Sequence, residues 1–368
     1  MSAPGPCRWC GSRAGQVVLD LGWQPPADAF PLPGDPPVAD HPLRLWSCQR
    51  CGLVQLPDRS PVPDEPRAVE PAALRDHARD SVAWGLAQGL LLPGQSVREF
   101  GSPHGGSWLG PLTAAGLWEC IASDEPVDVV VDVMGLMHEE DQRGGLERRL
   151  QVLAPSGVLV LVFPPLETVV EHGQWNAVRH GHHAYPSTAK AARQLHECGL
   201  TVVATDLHPL YGGTRLLAAR RRGWGASRTA SVPLPPDVPR SACTNLAREV
   251  DVTTAALRDH LRRQAAAGRR VLGYGAASRA VPLLVAAGVG PDLLPGVADA
   301  SPAKQGRLIP GVRIPVISPS ELIAAHPDEV LLLLPDLLEE VRSSLLEVER
   351  QGGHWLPVDS LLQNGVPR

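Results

Sequence analysis

What the 368-residue chain lacks narrows its class before any motif is considered. No apolar run approaches the roughly 18 residues that a membrane-spanning helix needs, so no segment is expected to cross a bilayer. The formal net charge is −5 and no basic stripe appears, which argues against a nucleic-acid partner. Lysine is nearly absent: Lys190 and Lys304 stand against many arginines. No secretory leader precedes the first cysteines, so a cytoplasmic protein is expected and disulfides are not. What is present suits a soluble globular protein. Hydrophobic residues make up 43% of the chain, ample for a core, and the length predicts two to three domains.

Four cysteines carry the strongest signal. Cys7-Arg8-Trp9-Cys10 and Cys48-Gln49-Arg50-Cys51 are CxxC pairs about 40 residues apart, each followed by a glycine, Gly11 or Gly52. They read as two knuckles giving four thiolates to one tetrahedral zinc, with glycine accepting the backbone turn. Four thiolates leave no open coordination position, so this zinc is expected to be structural. Cys120, Cys198 and Cys243 are scattered and read as buried free thiols.

The chain is α/β and divides into four stretches. Residues 1–65 form a zinc-binding module around a proline-rich middle, Gln24 to Pro42, too short to bury much core, so the metal is expected to stabilise it. Residues 66–225 form a shortened sheet domain. Its pattern predicts a helix from Pro71 to Leu92, a strand Ser96–Phe100 and a glycine-rich turn, Gly101 to Gly106. Val127–Val133 and Val158–Phe163 read as buried parallel strands, followed by a helix Ser187–Cys198 and a strand Thr201–Asp206. Residues 226–268 are a linker and an amphipathic helix with Leu246, Val250, Leu257 and Leu261 on one face. Residues 269–368 alternate strands and helices as a Rossmann-like unit does. A strand and glycine turn over Val271–Ala277 lead to a helix Ala280–Ala287, then a strand ending at Asp299. Ser318-Pro319-Ser320-Glu321 is a capping box, and a strand Glu329–Leu334 and a helix Leu337–Gln351 follow. The glycine pattern is only G-x-G, with Ser278 where a third glycine would stand, a weak dinucleotide signal.

Two clusters could carry function. Gly273 and Gly275 flank Tyr274 and are expected to leave backbone amides free for a phosphate at a helix N-terminus. Lys304 and Arg307 could supply matching cations, although a solvated charged loop would look the same. The stretch Arg179-His180-Gly181-His182-His183-Ala184-Tyr185 could be an acid/base set, a metal site or a polar surface loop.

Segments in order along the chain carry a resemblance: CRWCGS, LDLGWQPPADAF, CQRCGLVQL and LRDHAR at the front. VFPPLETVVEHGQW, GHHAYPS and LHPLYGGTR lie in the middle, and GYGAASR and VADASPAKQGRLIPGVRIPVISPSEL at the back. With about two thirds of the chain covered, it resembles the zinc-containing sugar C-methyltransferases of bacterial secondary metabolism, including antibiotic biosynthesis. The resemblance implies a zinc module, a truncated class I methyltransferase-like domain and a Rossmann-like C-terminal domain. The implied transferase reaction moves a methyl group from S-adenosylmethionine to a dTDP-linked keto-deoxysugar, and the last domain helps hold the nucleotide diphosphate.

The implied site residues depart from the family pattern. Where the family reads E-x-G-S-N-D-G, the cofactor loop here has Glu99, Gly101, Ser102, His104 and Gly105, with His104 replacing the acidic residue that faces the cofactor. A Tyr- and Ser-rich stretch is replaced by Arg67-Ala68-Val69-Glu70-Pro71. The family's Tyr-x-Glu-His motif becomes Arg179, Gly181 and His182, so the aligned histidine survives as the candidate base, among His180, His183 and Tyr185. The family's HGG becomes Tyr211-Gly212-Gly213, on the substrate side with Gly273, Tyr274, Gly275, Lys304 and Arg307. Gly101 and Val127 are 26 positions apart, whereas one βαβ unit takes about 30 residues. Leu117–Ser123 could be a remnant second strand, with Asp124 or Glu125 as the ribose-binding carboxylate. A parallel crossover needs a dozen or so residues, so that remnant and Val127–Val133 are not expected to flank Ser96–Phe100 as parallel strands. S-adenosylmethionine is therefore expected to bind weakly or not at all. Three readings follow: a C-methyltransferase, a donor-independent epimerase or isomerase working through an enolate, and a non-catalytic partner that binds nucleotide sugar or another enzyme.

Overall fold

The computed structural model describes residues 4–61, 65–66, 69–122, 125–223 and 232–363. Arg67, Ala68, Ser123, Asp124 and part of the expected linker lie outside the described residues. At the front, β1 (Gly15–Gln24) pairs antiparallel with β2 (His41–Cys48), and β2 with β3 (Val54–Gln55). The proline-rich stretch between β1 and β2 has turns and no helix.

In the middle domain, α1 (Ala72–Ala87) stops earlier than its apolar pattern suggests. Gly89 takes φ of 64°, a left-handed conformation that ends the helix, while Leu91 folds back onto Gly85. The chain continues through β4 (Ser96–Gly101), α2 (Leu109–Ala114), β5 (Trp118–Glu119), β6 (Val127–Val133), α3 (Gln142–Gln151), β7 (Leu153–Phe163) and α4 (Leu166–Glu171). Next come β8 (Ala184–Tyr185), α5 (Thr188–Glu197), β9 (Leu200–His208) and β10 (Thr214–Arg221). The sheet order is β5-β4-β6-β7-β10-β9; β4 to β7 run parallel, and β10 lies antiparallel to both its neighbours.

This order corrects one expectation. β5 and β6 do flank β4 as parallel strands. The crossover rule assumes strands of ordinary length, whereas β5 pairs only Trp118 and Glu119 with Ser96 and Val97. The return path is short, and residues 120–126 can span roughly 20 Å. The Arg98 guanidinium holds this crossing by donating to the carbonyls of Cys120 and Ala122.

β8 leaves this domain and pairs with β3, giving the front sheet the order β1-β2-β3-β8. Then α6 (Arg240–Ala266) leads to β11 (Val271–Tyr274), α7 (Ala280–Ala287), β12 (Val297–Ala298), β13 (Val316–Ile317), α8 (Pro319–Ala324), β14 (Glu329–Leu332), α9 (Leu338–Ser344), α10 (Leu346–Arg350) and β15 (His354–Pro357). Its five strands, in the order β13-β12-β11-β14-β15, are all parallel. Ser318 and Glu321 form the expected capping box. The helix expected over Leu337–Gln351 breaks at Leu345, whose φ of −126° and ψ of 46° separate α9 from α10.

The front module buries more than its length suggests. Val18, Leu19, Phe30, Leu43 and Leu45 share one cluster with Leu246, Leu257 and Leu261 of α6 and with Val281 and Leu284 of α7. Metal is therefore not its sole support, because the strands borrow a core from the last domain. Leu257 is 1% exposed at this junction. Leu257→Ala should cost about 2–5 kcal/mol, read as a lower denaturant midpoint at unchanged slope; a loss below about 1 kcal/mol would contradict a shared core.

Candidate functional site

The two knuckles are built alike. The Gly11 amide donates to Cys7 O and the Gly52 amide to Cys48 O, at 2.9 and 3.0 Å, with both glycines at positive φ. Cys7 and Cys51 sulfurs are 3.5 Å apart and those of Cys10 and Cys48 3.6 Å, with all four within 4.8 Å of one another. A tetrahedron with metal–sulfur bonds of about 2.3 Å has edges of about 3.8 Å, so this quartet fits zinc. All four cysteines are free of disulfides. The first knuckle docks on the middle domain through Trp9, whose Nε1 donates to Glu197 at 2.7 Å while Arg143 lies 4.5 Å above its ring.

A cavity of about 410 Å³ opens where the front module, the middle sheet and the last domain meet. Ser102 and His104 reach it from beyond β4, Met134 and His138 from beyond β6, and Arg179, His182 and Tyr185 from the loop entering β8. Loops at the carboxyl ends of parallel strands are where α/β sheets place ligands. Two non-glycine residues in the left-handed region line it, Met134 (φ 57°) and Tyr211 (φ 55°), and such strained backbone clusters at functional sites.

Three imidazoles gather there. The ring centres of His104 and His138 are 5.0 Å apart, those of His138 and His182 4.8 Å, and those of His104 and His182 6.3 Å. His138 Nδ1 lies 3.0 Å from Gly181 O, an acceptor only, so Nδ1 carries the proton and Nε2 keeps a lone pair. Burial first, then the Arg179 charge and His104, push His138 down to about 3. Burial, then Arg179, likewise holds His182 well below the usual imidazole range. His182 is thus neutral at physiological pH, and the ring nitrogens of His104, His138 and His182 lie within 4.8 Å of one another, close enough to share a metal ion.

Arg179 is fixed by Asp28 of the front module, Nη1 lying 3.0 and 3.2 Å from its carboxylate oxygens. Its backbone amide donates to the Tyr185 hydroxyl at 3.1 Å, and its buried Nε has no acceptor. Glu65 bridges His104 Nδ1 and Lys304 Nζ, each at 2.6 Å. Burial pushes the Glu65 carboxyl up, but the His104 hydrogen bond and the Lys304 charge win and hold it at about 2.

Several expected site residues lie elsewhere. His180 turns to Pro42 O at 3.3 Å, and His183 is buried, its backbone bridging Met137 O and the Leu56 amide. Glu99 accepts from the Trp108 amide and the Ser107 hydroxyl at the start of α2, and Gly101 bridges Met134 at the strand end. Gly212 and Gly213 pack against Gln174 and Thr168. The expected phosphate cradle does not form. The Gly273 amide donates to Gly296 O and that of Gly275 to Ala298 O, the parallel neighbour strand taking both. Lys304 does line the cavity, but it is 3% exposed and held by Glu65 and Ala276 O, while Arg307 lies outside it and donates to Ala303 O and Phe30 O. Tyr211, Tyr274 and Gly275 line the cavity, joined by two residues the sequence reading missed, His138 and Arg279. His138 stands just beyond the carboxyl end of the valine-rich parallel strand β6, a position that could have flagged it.

For S-adenosylmethionine the fit is partial. Ser102, His104 and Gly105 line the cavity, but among the described residues no part of β5 or the crossing after it does. Trp118 and Ile121 there are 52% and 87% exposed, and Glu125 is near Cys120 Sγ, at 3.8 Å.

Residues 240–358 match the family described as "C-methyltransferase C-terminal domain", and residues 7–63 one described as "putative zinc binding domain". The C-methyltransferase NovU of Streptomyces niveus is 25% identical over 412 aligned positions, covering 95% of this chain and 94% of its own. Because 95% of 368 residues is about 350, about 60 of those positions have no counterpart here. Partial likeness extends to magnesium protoporphyrin IX methyltransferase of Synechocystis PCC 6803 with bound SAH, at 16% identity over 40% of this chain and 84% of that one, TM-score 0.29. A SAM-dependent methyltransferase of Geobacter sulfurreducens in complex with S-adenosylhomocysteine shows 12% identity over 40% and 91%, TM-score 0.29.

Elemental analysis of the purified protein should find one zinc per chain, lost on Cys48→Ser. Zinc-free, folded wild type, or mass spectrometry placing these cysteines in disulfides, would overturn the assignment.

Proposed function

We propose that this chain, whose residues 7–63 and 240–358 match a zinc-binding and a C-methyltransferase C-terminal domain, is a member of the C-methyltransferase family and removes a proton beside the ketone of a nucleotide-linked keto-deoxysugar. The observation that carries this reading is the neutral His182 imidazole sharing one cavity with the fixed charge of Arg179. An unprotonated imidazole accepts the carbon-bound proton, a step that typically contributes about 10²–10⁴-fold. The electron pair of that C–H bond moves to the carbonyl oxygen, and the Arg179 guanidinium stabilises the enolate. Zinc, when bound at the four cysteines, supplies structure, while His182 and Arg179 handle proton and charge.

Reprotonation of the enolate completes an epimerisation or isomerisation with no methyl donor. That outcome is favoured by the unlined adenosine side of the cavity. Methyl transfer is the second reading, supported by the Ser102–Gly105 turn in the cavity wall and by the name of the Streptomyces relative. Calorimetry should show no S-adenosylmethionine binding at micromolar affinity; tighter binding would establish the second reading.

Incubating a nucleotide-linked keto-deoxysugar in deuterated water should exchange the proton next to the ketone. His182→Ala should slow this by about 10²-fold or more. Equal exchange in both proteins would remove His182 as base, and none with any such sugar would leave a binding partner without catalysis.

Burial and Arg179 both disfavour the protonated ring, so the base stays competent as pH falls past its ordinary range. The acid limb of exchange should lie below pH ~6.5, and Arg179→Met should move it upward. An acid limb at or above pH ~6.5 in the wild type would contradict the assignment.

A further inference from the structure

Both lysines of the chain are buried, Lys190 at 2% and Lys304 at 3% exposure. Lys304 has a carboxylate and a carbonyl as partners. Lys190 does not. Among the described residues no ion pair or hydrogen bond involves its ammonium, which lies 5.9 Å from the centroid of the Trp9 ring and whose charge acts on Cys51. It stands in the first turn of α5, where the backbone amide of Lys190 bonds the Ser187 hydroxyl at 3.0 Å and the helix dipole is positive. The dipole therefore adds to the cost of burying this cation rather than offsetting it. A buried ammonium without a counter-charge is strongly disfavoured.

The missing negative charge is next to it. Lys190 lines one hollow with Trp9, Cys10 and Cys51. Zn²⁺ held by four thiolates carries a net charge of two minus. We propose that the Lys190 ammonium is the counter-charge of the loaded zinc–thiolate centre, supplied by the middle domain to a metal held by the front module. The hollow's other cations serve different partners or solvent: Arg143 pairs with Glu197 at 3.2 Å, Arg193 pairs with Asp237, and Arg50 is exposed. Outer groups of this kind tune metal sites nearly as much as the ligands do. Because the ligands and the counter-charge come from different domains, zinc loading and docking of the front module on α5 reinforce each other.

The inference rests on zinc at the four cysteines and not on the enolisation chemistry, and zinc-free wild type would fail at that earlier step. The test is zinc affinity of the full chain, measured by competition with a chromophoric chelator. Lys190→Met keeps the apolar stem and removes the charge; it should weaken zinc binding about 10–100-fold and speed iodoacetamide alkylation of the thiolates. Lys190→Arg should stay within about threefold of wild type and Arg50→Gln within about twofold, both well inside the effect expected of a lost outer-shell partner. If Lys190→Met is poorly folded as purified, recovery of the fold by excess zinc supports the proposal. Unchanged zinc affinity, or misfolding that saturating zinc does not reverse, would overturn it.

Discussion

Four sulfurs drawn within bonding reach of one ion fix the end of β2 and the strand that follows it, and the loop from Arg179 to Tyr185 hangs from that strand. β3 begins three residues after Cys51, and its Val54 and Gln55 pair with Tyr185 and Ala184 of β8. The Leu56 amide then donates to His183 O at 3.1 Å, and the His183 amide to Met137 O at 2.7 Å. Those contacts hold the loop from Arg179 to Tyr185 between the front sheet and the segment that carries His138. A structural zinc contributes on the order of 10 kcal/mol in small domains, whereas each of these hydrogen bonds contributes about 1 kcal/mol. A zinc at these cysteines would therefore set the position, and the short ladder would transmit it.

Charge completes the assembly. Asp28 belongs to the front module and Arg179 to the middle domain, while Glu65 ties His104 to Lys304 of the last domain. Each of these charges meets an opposite one from another part of the chain, so the parts must dock in one arrangement to satisfy them. His182 has no such carboxylate partner among the described residues. Placed beside Arg179 in the cavity wall, it keeps its lone pair, which is what an enolising base requires.

Much of this was legible in the residues. The knuckles announce themselves by spacing because tetrahedral thiolate binding leaves little freedom, and the β-branched runs of β6 and β7 suit only a buried strand. What escaped depends on long-range geometry. Whether Gly273 and Gly275 offer free amides is decided by carbonyls of Gly296 and Ala298, some twenty residues away. His180, His182 and His183 are consecutive or nearly so, yet a left-handed Gly181 (φ 87°) and the pairing of β8 send only His182 into the cavity. The β5–β4–β6 order escaped because a general crossover length was applied to a strand of two residues. Lys304 read as a cation for a phosphate because nothing local reveals Glu65, its partner 239 residues earlier.

The claim that the thiolate centre positions the Arg179–Tyr185 loop can be tested without knowing the substrate. Hydrogen–deuterium exchange followed by mass spectrometry, with and without a zinc chelator, reads the Arg179–Tyr185 segment directly. Zinc removal should deprotect this segment together with Val54–Leu56, while the parallel strands β6 and β7 keep their protection. A loop that stays protected after the zinc has left would contradict the account.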